Sequence, residues 1–182
     1  MSIYTKKGDS GTTALLGLSE RVSKDAQRIV ALGCLDELNS QLGVAVSFLT
    51  QDQSSLLEEI RSIQQDLFEI NTEVATVAPR DPPFLADSDK ARRLERFIDQ
   101  QEAGLPPLSH FIYLGGSPAG AALHLARSVC RRAEREVVRL SRKEDVNASI
   151  ARYLNRLSDA LFVMARLANH LAGSPEEPWK GK

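Results

Sequence analysis

The stretch Phe111–Leu140, FIYLGGSPAGAALHLARSVCRRAEREVVRL, decides the fold, because it joins an extended run and a Gly-Gly turn to a clear helix start. Ser117 is typical of an N-cap residue, and Pro118 is typical of the first helical residue. Small and apolar side chains then recur every three or four residues, which predicts a helix with one buried stripe. The stripe comprises Ala122, Ala126, Cys130, Ala133, Val137 and Leu140.

The opposite face of this helix is charged. Arg127, Arg131, Glu134 and Arg135 recur at the same spacing on the far side of the helix. One interpretation is a solvated face with charge pairs between successive turns. The other is an anion site, because rigid guanidinium groups suit a polyphosphate or the carboxylate of a partner subunit. Asp36, beside the stripe of an earlier helical segment, is either a surface charge or the partner of such an arginine.

Four further segments have apolar stripes of helical period. They run from about Asp25 to Leu49, from about Ser54 to Val77, from about Ser88 to Gly104 and, after a loop near Lys143–Asn147, from about Ile150 to Leu171. Pro79 follows the second segment and is expected to end it. Because no segment has a convincing sheet pattern, the sequence predicts an all-α, up-and-down bundle of five helices, with at most a short strand near the N-terminus.

The composition is typical of one globular domain covering residues 1–182, with an irregular segment over 1–24, the helical bundle over 25–173 and a loose tail over 174–182. A net charge of −1 gives no electrostatic case for binding nucleic acid or a membrane. The sequence has no apolar run typical of a signal peptide or a membrane span. Cys34 and Cys130 lie in helical patterns and are predicted to be free thiols, so we expect a cytoplasmic protein.

The N-terminal segment is rich in Gly, Thr and Lys from Lys6 to Thr13. A mobile terminus is one interpretation of this composition. A phosphate-binding loop is the other, because glycines let the backbone approach an anion while N–H groups, hydroxyls and lysines donate hydrogen bonds to it. The segment lacks the Gly-Lys-Ser/Thr sequence of a Walker motif.

Taken together, the motifs resemble the PduO-type ATP:cob(I)alamin adenosyltransferases. The matching segments, in chain order, are YTKKGDSGTTALLG, DELNSQLG, FIYLGG, RSVCRRAER and NRLSD. The resemblance spans nearly the whole chain and implies a ferritin-like helical bundle that assembles as a homotrimer, with ATP between subunits and the corrinoid beside it. The implied reaction transfers the 5′-deoxyadenosyl group of ATP to cob(I)alamin and gives adenosylcobalamin and triphosphate, with Mg²⁺ accompanying the ATP.

The resemblance also implies roles for the matching residues. Asp36 and Arg127 would pair across a subunit boundary and would act in catalysis with Arg131 and Phe111. Phe111 would lie against the lower face of the corrin ring. Phe162 would help to line that apolar site. The ATP-binding residues, of which Glu134 would also lie near the magnesium ion, would be Thr5, Lys6, Gly8, Asp9, Gly11, Thr13, Lys24, Arg131, Glu134, Arg135 and Asn155.

The implied chemistry explains these residue types. Cob(I)alamin is itself the nucleophile, so the protein has to stabilise the negative charge that builds on the departing triphosphate. No protein nucleophile or general base is needed, and His110 and His124 are therefore expected to be structural, His124 as a hydrogen-bonded imidazole. An apolar Phe111 ring would remove the lower ligand of cobalt and make its reduction easier; plain core packing is the alternative for this residue.

The sequence departs from the family pattern at two positions, and two functions other than adenosyl transfer remain as alternatives. Leu114 stands where many relatives have proline, so we expect a less rigid turn. Trp179 is the only aromatic residue of a short tail, so the corrinoid site would be more open here if relatives close it with a C-terminal aromatic residue. A corrinoid carrier, which hands the cofactor to an acceptor enzyme and works with a cobalamin reductase, would need the same residues. A nucleotide sensor on the same bundle would be expected to lack the arginines or Phe111.

Overall fold

The structure is a computed structural model that describes residues 3–77 and 89–181. Two-residue strands β1 (Thr12–Thr13) and β2 (Val22–Ser23) pair in antiparallel fashion near the N-terminus. The helices are α1 (Gln27–Ser47), α2 (Ser54–Ala75), α3 (Asp89–Glu102), α4 (Pro118–Ser141) and α5 (Ala148–Leu171), with a short 3₁₀ turn, Gln51–Gln53, before α2. The predicted all-α bundle is confirmed. The predicted helix stop at Pro79 and cap at Ser88 lie outside the described residues.

Helix α4 begins where the sequence predicts. The Ser117 hydroxyl accepts a hydrogen bond from the N–H of Gly120 at 3.0 Å, with Pro118 in the first turn. Helix α2 ends two residues before the predicted Val77, because the N-terminal segment binds its last backbone groups. The Leu16 N–H donates to the Ala75 carbonyl at 3.0 Å, and the Leu16 carbonyl accepts from the Val77 N–H at 2.9 Å.

Helix α4 lies at the centre, packed on α1 on one side and on α5 on the other, while α2 covers α1 and α3 covers α5. The alanines of its stripe are short, so both neighbours can approach closely. The leucine and isoleucine stripes of α1, α2 and α5 are fully buried, among them Leu35, Leu38 and Leu42 of α1, Ile60, Ile63 and Leu67 of α2, and Leu154, Leu157 and Leu161 of α5.

Helix α1 is long and apolar enough to cross a membrane by length and composition alone, a test that the core helix of a soluble protein also passes. Its leucine stripe is buried in the bundle, whereas Val30 and Val44 are exposed on its outer side. The apolar character of α1 therefore has two parts, a core stripe and a second face that no described residue covers.

Both cysteines are free thiols, as predicted. Cys130 is completely buried, and its Sγ donates to the Leu154 carbonyl at 3.3 Å. Burial raises the pKa of the Cys130 thiol well above its ordinary value, so this side chain packs the α4–α5 contact as a neutral group.

A buried ionic cluster, which we call the Asp66 cluster, joins α2, α3 and α5. Asp66 is 3% exposed and accepts from the Tyr153 hydroxyl at 2.8 Å. Lys90 and Arg93 of α3 bind the same carboxylate at 2.7 and 2.8 Å. Burial and then the Asp66 carboxylate raise the pKa of Tyr153 well above its usual range. Every oxygen of this buried carboxylate therefore has a donor.

The tail does not match the loose segment that the sequence predicts over 174–182. Its backbone runs antiparallel beside the residues that precede α4: the Tyr113 N–H donates to the Glu177 carbonyl at 2.9 Å, and the Trp179 N–H donates to the Phe111 carbonyl at 2.6 Å. An ion pair of 2.7 Å between the buried Arg166 and the partly exposed Glu176 holds the tail on α5. The tail is thus part of the wall described next.

Candidate functional site

A cavity of about 1120 Å³ opens between α4, α5, the end of α3, the tail and the segment before α4. We call it the large cavity. One part of its wall is apolar and aromatic: Leu108, Phe111, Ile112, Leu114, Phe162, Val163 and Trp179. The other part is polar and includes Arg127, Arg131, Arg156, Ser158 and Asp159. The cavity therefore combines a flat apolar surface with cations, which suits a large ring system bearing polar substituents.

Phe111 lies in the cavity wall and not in the core. Its side chain is 79% exposed, which excludes the core-packing alternative. Its ring meets the Trp179 ring edge-on, with 6.3 Å between centroids and 60° between planes. Trp179 thus stands in the wall of the large cavity beside Phe111. A corrinoid site more open than that of relatives stays a prediction.

Arg127 and Phe162 meet at the far wall of the large cavity. The Arg127 guanidinium carbon lies 5.8 Å from the centroid of the Phe162 ring, a cation–π distance. The Nε atom of Arg127 is buried and has no hydrogen-bond partner among the described residues. Such a buried donor is costly unless a ligand or a partner completes it.

His124, one turn earlier on α4, packs against the same Phe162 ring at 5.9 Å. It is 3% exposed, and neither ring nitrogen has a partner within residues 3–77 and 89–181. The prediction of a hydrogen-bonded imidazole is therefore wrong. Burial, and then the nearby Arg127 guanidinium, lower the pKa of His124 to about 4, so the ring is neutral near pH 7. His110, by contrast, is exposed and lines the cavity.

A second pocket, of about 430 Å³, lies further along α4. We call it the arginine pocket. Its lining consists of Arg131, Glu134, Arg135, Val138, Arg139, Arg142 and Asn155. The structure thus brings together the implied nucleotide residues of α4 and α5, and the Asn155 amide donates to Glu134 at 3.1 Å. Arg139 and Arg142 were not predicted, although their spacing from Arg135 continues the same helical face.

Arg131 lines both the large cavity and the arginine pocket. Its side chain is exposed, so it is available to groups on either side. If one molecule were bound in the large cavity and another in the arginine pocket, both would lie next to this guanidinium.

The N-terminal loop is compact. The Lys24 N–H donates to the Gly11 carbonyl at 2.9 Å, and a Cβ added to Gly8 would lie 3.2 Å from Lys24 Nζ. Gly11 has a φ of +78°, which favours glycine. Lys24 is therefore held against the loop and precedes the start of α1 at Gln27.

Within residues 3–77 and 89–181, the N-terminal loop does not line the arginine pocket. None of the implied nucleotide residues from Thr5 to Lys24 is among the described residues that line the pocket. Asp36 is exposed on α1 and has no ion-pair partner in the described parts of the chain, so Asp36 and Arg127 are not paired either. Both separations concern residues that the resemblance assigns to a subunit boundary.

Comparison with known proteins places these features in a family. The family model described as cobalamin adenosyltransferase matches residues 3–168. The corrinoid adenosyltransferase of Bacillus subtilis is 41% identical over 175 residues, which cover 95% of this chain and 89% of the relative. The human corrinoid adenosyltransferase is 39% identical over 180 residues, which cover 96% of this chain and 72% of the relative. The chain belongs to the cobalamin adenosyltransferase family.

Solved structures of the family have the same fold. A variant of the PduO-type ATP:corrinoid adenosyltransferase from Lactobacillus reuteri, complexed with cobalamin and ATP, is 36% identical, with a TM-score of 0.92 over 99% of this chain and 100% of that chain. Another variant of that enzyme, complexed with ATP, is 37% identical, with a TM-score of 0.89 over 98% of this chain and 100% of that chain.

A magnesium ion that accompanies ATP fits the arginine pocket. Mg²⁺ bound with nucleotides takes one or two carboxylates in addition to phosphate oxygens and water. Glu134 is the carboxylate among the described lining residues. No group of three or more His, Cys, Asp or Glu side chains within the described residues could hold a metal ion without the nucleotide. Glu134 would thus hold a metal that the phosphates of ATP also bind.

Proposed function

We propose that this member of the cobalamin adenosyltransferase family transfers the 5′-deoxyadenosyl group of ATP to cob(I)alamin, which yields adenosylcobalamin and triphosphate. The observation that carries the proposal is the position of Arg131, which lines both spaces. In this reaction the cobalt nucleophile and C5′ of ATP must meet at the boundary between the corrinoid and the nucleotide.

The arginine pocket supplies the charge that the leaving group requires. Four arginines and one glutamate line it, so that the lining has a net positive charge suited to triphosphate. As the C5′–O bond breaks, charge grows on the triphosphate, and guanidinium groups already in place stabilise it without reorganisation. Magnesium, when bound, offsets further phosphate charge. Asn155 holds the Glu134 carboxylate in a fixed orientation through its 3.1 Å hydrogen bond.

The aromatic part of the large cavity serves the corrinoid. The exposed Phe111 ring offers an apolar face without any ligand atom for cobalt. A corrin ring seated against it would lose a water or base from its lower face, and reduction to the nucleophilic state would become easier. Phe162 and Trp179 extend the same apolar surface.

The active assembly proposed here is a homotrimer in the cytoplasm. Arg127 has a buried Nε without a described partner, and Asp36 is an exposed carboxylate. The Arg127 guanidinium of one subunit could therefore donate to the Asp36 carboxylate of another. The exposed Val30 and Val44 of α1 and Leu125 of α4 supply apolar area for contact between chains. In such an assembly the N-terminal loop of one subunit would cover the arginine pocket of the next.

Product analysis tests the proposed reaction. The protein is incubated with ATP, Mg²⁺ and chemically reduced cob(I)alamin, and the expected products are adenosylcobalamin, from its absorbance spectrum, and triphosphate, by ion-exchange chromatography. Arg131→Ala is expected to lose the activity, while Arg61→Ala on the outer side of α2 serves as the matched control. Binding of corrinoid without turnover would favour a carrier instead, and binding of ATP alone would favour a sensor.

A further inference from the structure

The turn that connects Phe111 to α4 is held by one side chain from the last turn of α5. Asn169 is 3% exposed. Its Oδ1 accepts from both the N–H and the hydroxyl of Ser117, each at 2.9 Å, and its Nδ2 donates to the Gly115 carbonyl at 2.9 Å. The amide therefore uses both of its ends on a turn that lies far away in sequence.

The glycines around this turn make room for that amide. Gly116 has a φ of +101°, and an added Cβ at Gly116 or Gly120 would overlap the Asn169 side chain. A Cβ added to Gly115 would meet nothing within 4 Å. The space at Gly116 and Gly120 is thus occupied by the Asn169 side chain.

The same asparagine also begins the path of the tail. Its backbone carbonyl accepts from the Ser174 N–H at 2.9 Å. The tail then continues to Glu177 and Trp179, which bind the backbone of Tyr113 and Phe111. The segment 111–116 is consequently held at one end by the Asn169 side chain and at the other by the tail, which follows the end of α5 at Leu171.

We propose that Asn169 is a positioning residue for the corrinoid-facing segment 111–116. The proposal rests on the proposed function in one respect, namely that the large cavity takes a corrinoid. Asn169 acts through Gly115 and Ser117, which fix the course of the backbone on which Phe111 enters the cavity. Asn169 does not touch the arginine pocket, because it is not among the described residues that line it.

A purely structural brace between α4 and α5 would behave differently. Ser117 already caps α4 with its own hydroxyl, which accepts from Gly120 at 3.0 Å, so the helix start does not depend on Asn169 alone. A brace would affect the stability of the fold and leave the handling of the corrinoid unchanged. A positioning residue would affect the geometry at Phe111 even at temperatures where the variant is fully folded.

The test uses Asn169→Ala, which removes all three side-chain bonds, and Asn169→Asp, which keeps acceptors for Ser117 and loses the donor to Gly115. Asn71→Ala is the matched control, because Asn71 is a partly buried amide of α2 whose Oδ1 has no described partner. In ligand-free protein, fluorescence of Trp179, the only tryptophan, reports on its contact with Phe111. Steady-state kinetics, with one substrate varied at a time, then give kcat/KM for the corrinoid and KM for ATP separately.

For Asn169→Ala we expect altered Trp179 emission and a loss of about tenfold to a hundredfold in kcat/KM for the corrinoid, since small misplacements are costly in a preorganised site. The KM for ATP should stay at the wild-type value. Asn169→Asp should fall between Asn169→Ala and wild type. Asn71→Ala should match wild type in all three measurements.

Lower thermal stability of Asn169→Ala with unchanged Trp179 emission and unchanged kcat/KM for the corrinoid would overturn the proposal. If Asn169→Ala does not fold, Asn169→Asp decides in its place, and wild-type values for that variant would equally refute the role. Failure of the proposed function is distinguishable, because wild type would then make no adenosylcobalamin while the Trp179 emission still reports on the turn.

Discussion

Two buried polar clusters occupy opposite sides of α5, and they differ in how far their polar groups are satisfied. Tyr153 and Phe162 are nine residues apart, which at about 100° per residue puts them on opposite faces of the helix. On the Tyr153 side, Asp66 receives a hydroxyl, an ammonium and a guanidinium. On the Phe162 side, both nitrogens of His124 and the Nε of Arg127 have no partner among the described residues.

This difference in hydrogen bonding separates polar groups that stabilise the fold from polar groups that lack a partner within the described chain. A buried carboxylate with three donors holds three helices together. A buried imidazole and a buried guanidinium nitrogen without hydrogen-bond partners lower the stability of the fold. Such groups are retained in a sequence where a ligand or a neighbouring subunit supplies the missing hydrogen bond. The large cavity lies on this second side of α5, where unfilled hydrogen-bonding capacity and the aromatic wall coincide.

The largest effect is expected on the satisfied side. Asp66→Ala leaves Lys90 and Arg93 without their buried carboxylate and should lower the free energy of unfolding by about 3–5 kcal/mol. Urea denaturation measures this loss. Glu69→Ala is the matched control, because this partly exposed carboxylate also binds Lys90, and its removal should cost less than about 1 kcal/mol. Similar small losses for both variants would show that the Asp66 cluster is not a major stabilising element.

Pairing with a second copy of the chain would supply a partner for Arg127 on the unsatisfied side. If Asp36 of one subunit binds Arg127 of the next in a dry contact, Asp36→Ala should weaken assembly by about 3–5 kcal/mol. Sedimentation at several protein concentrations measures the change. The swap of Asp36→Arg with Arg127→Asp should restore part of the assembly. A wild-type monomer at micromolar concentration would rule out the pairing.

A substitution at Arg131 tests the chemistry of the site without changing the stability of the fold. The Arg131 side chain is exposed, so Arg131→Lys should leave the free energy of unfolding near its wild-type value. The lysine keeps the charge but lacks the planar fork, and loss of one preorganised donor typically lowers kcat by about 10²–10³. The adenosylation rate at saturating substrates is the measurement. Wild-type turnover in this variant would remove Arg131 from the mechanism.

The burial of His124 predicts that the stability of the fold depends on pH. Burial, with Arg127 nearby, lowers the pKa of this imidazole from its ordinary 6.5 to about 4, while the carboxylate of Glu176 acts weakly in the other direction. Between these pH values the unfolded chain binds more protons, so stability falls as the pH falls through that window. The loss should reach about 3 kcal/mol near pH 4.

The matched measurement compares urea unfolding of wild type and His124→Phe from pH 7 to pH 4. The two curves should diverge as the pH falls, because phenylalanine cannot take up a proton. At pH 7 the variant should be at least as stable as wild type, since an unsatisfied polar group has been removed. Parallel curves would mean that His124 gains a partner in solution.

Local rules account for what the sequence predicts correctly. The N-cap at Ser117, the stripes of the helices and the arginine face of α4 depend on residues three or four positions apart, which one sequence displays directly. The free state of Cys130 follows from its place in the α4 stripe.

The remaining features depend on contacts between distant parts of the chain. Asn169 binds Gly115 and Ser117 across the α4–α5 junction, and a lone asparagine near a helix end gives no sign of such a contact. The backbone pairing of the tail with Phe111 depends in the same way on how the helices pack. So does the lack of hydrogen-bond partners for the His124 ring among the described residues. Helix α2 ends early because Leu16 binds its last backbone groups.

Phe111 is assigned to the corrinoid and Arg131 to the leaving triphosphate, and one paired measurement tests this division of roles directly. Adenosylation is measured for Phe111→Ala and Arg131→Lys, once from cob(II)alamin with a weak reductant and once from chemically reduced cob(I)alamin. Phe111→Ala should lose most of its rate in the first assay and recover a substantial part in the second, whereas Arg131→Lys should lose equally in both. Equal losses for Phe111→Ala in the two assays, or recovery of Arg131→Lys with cob(I)alamin, would contradict the assignment.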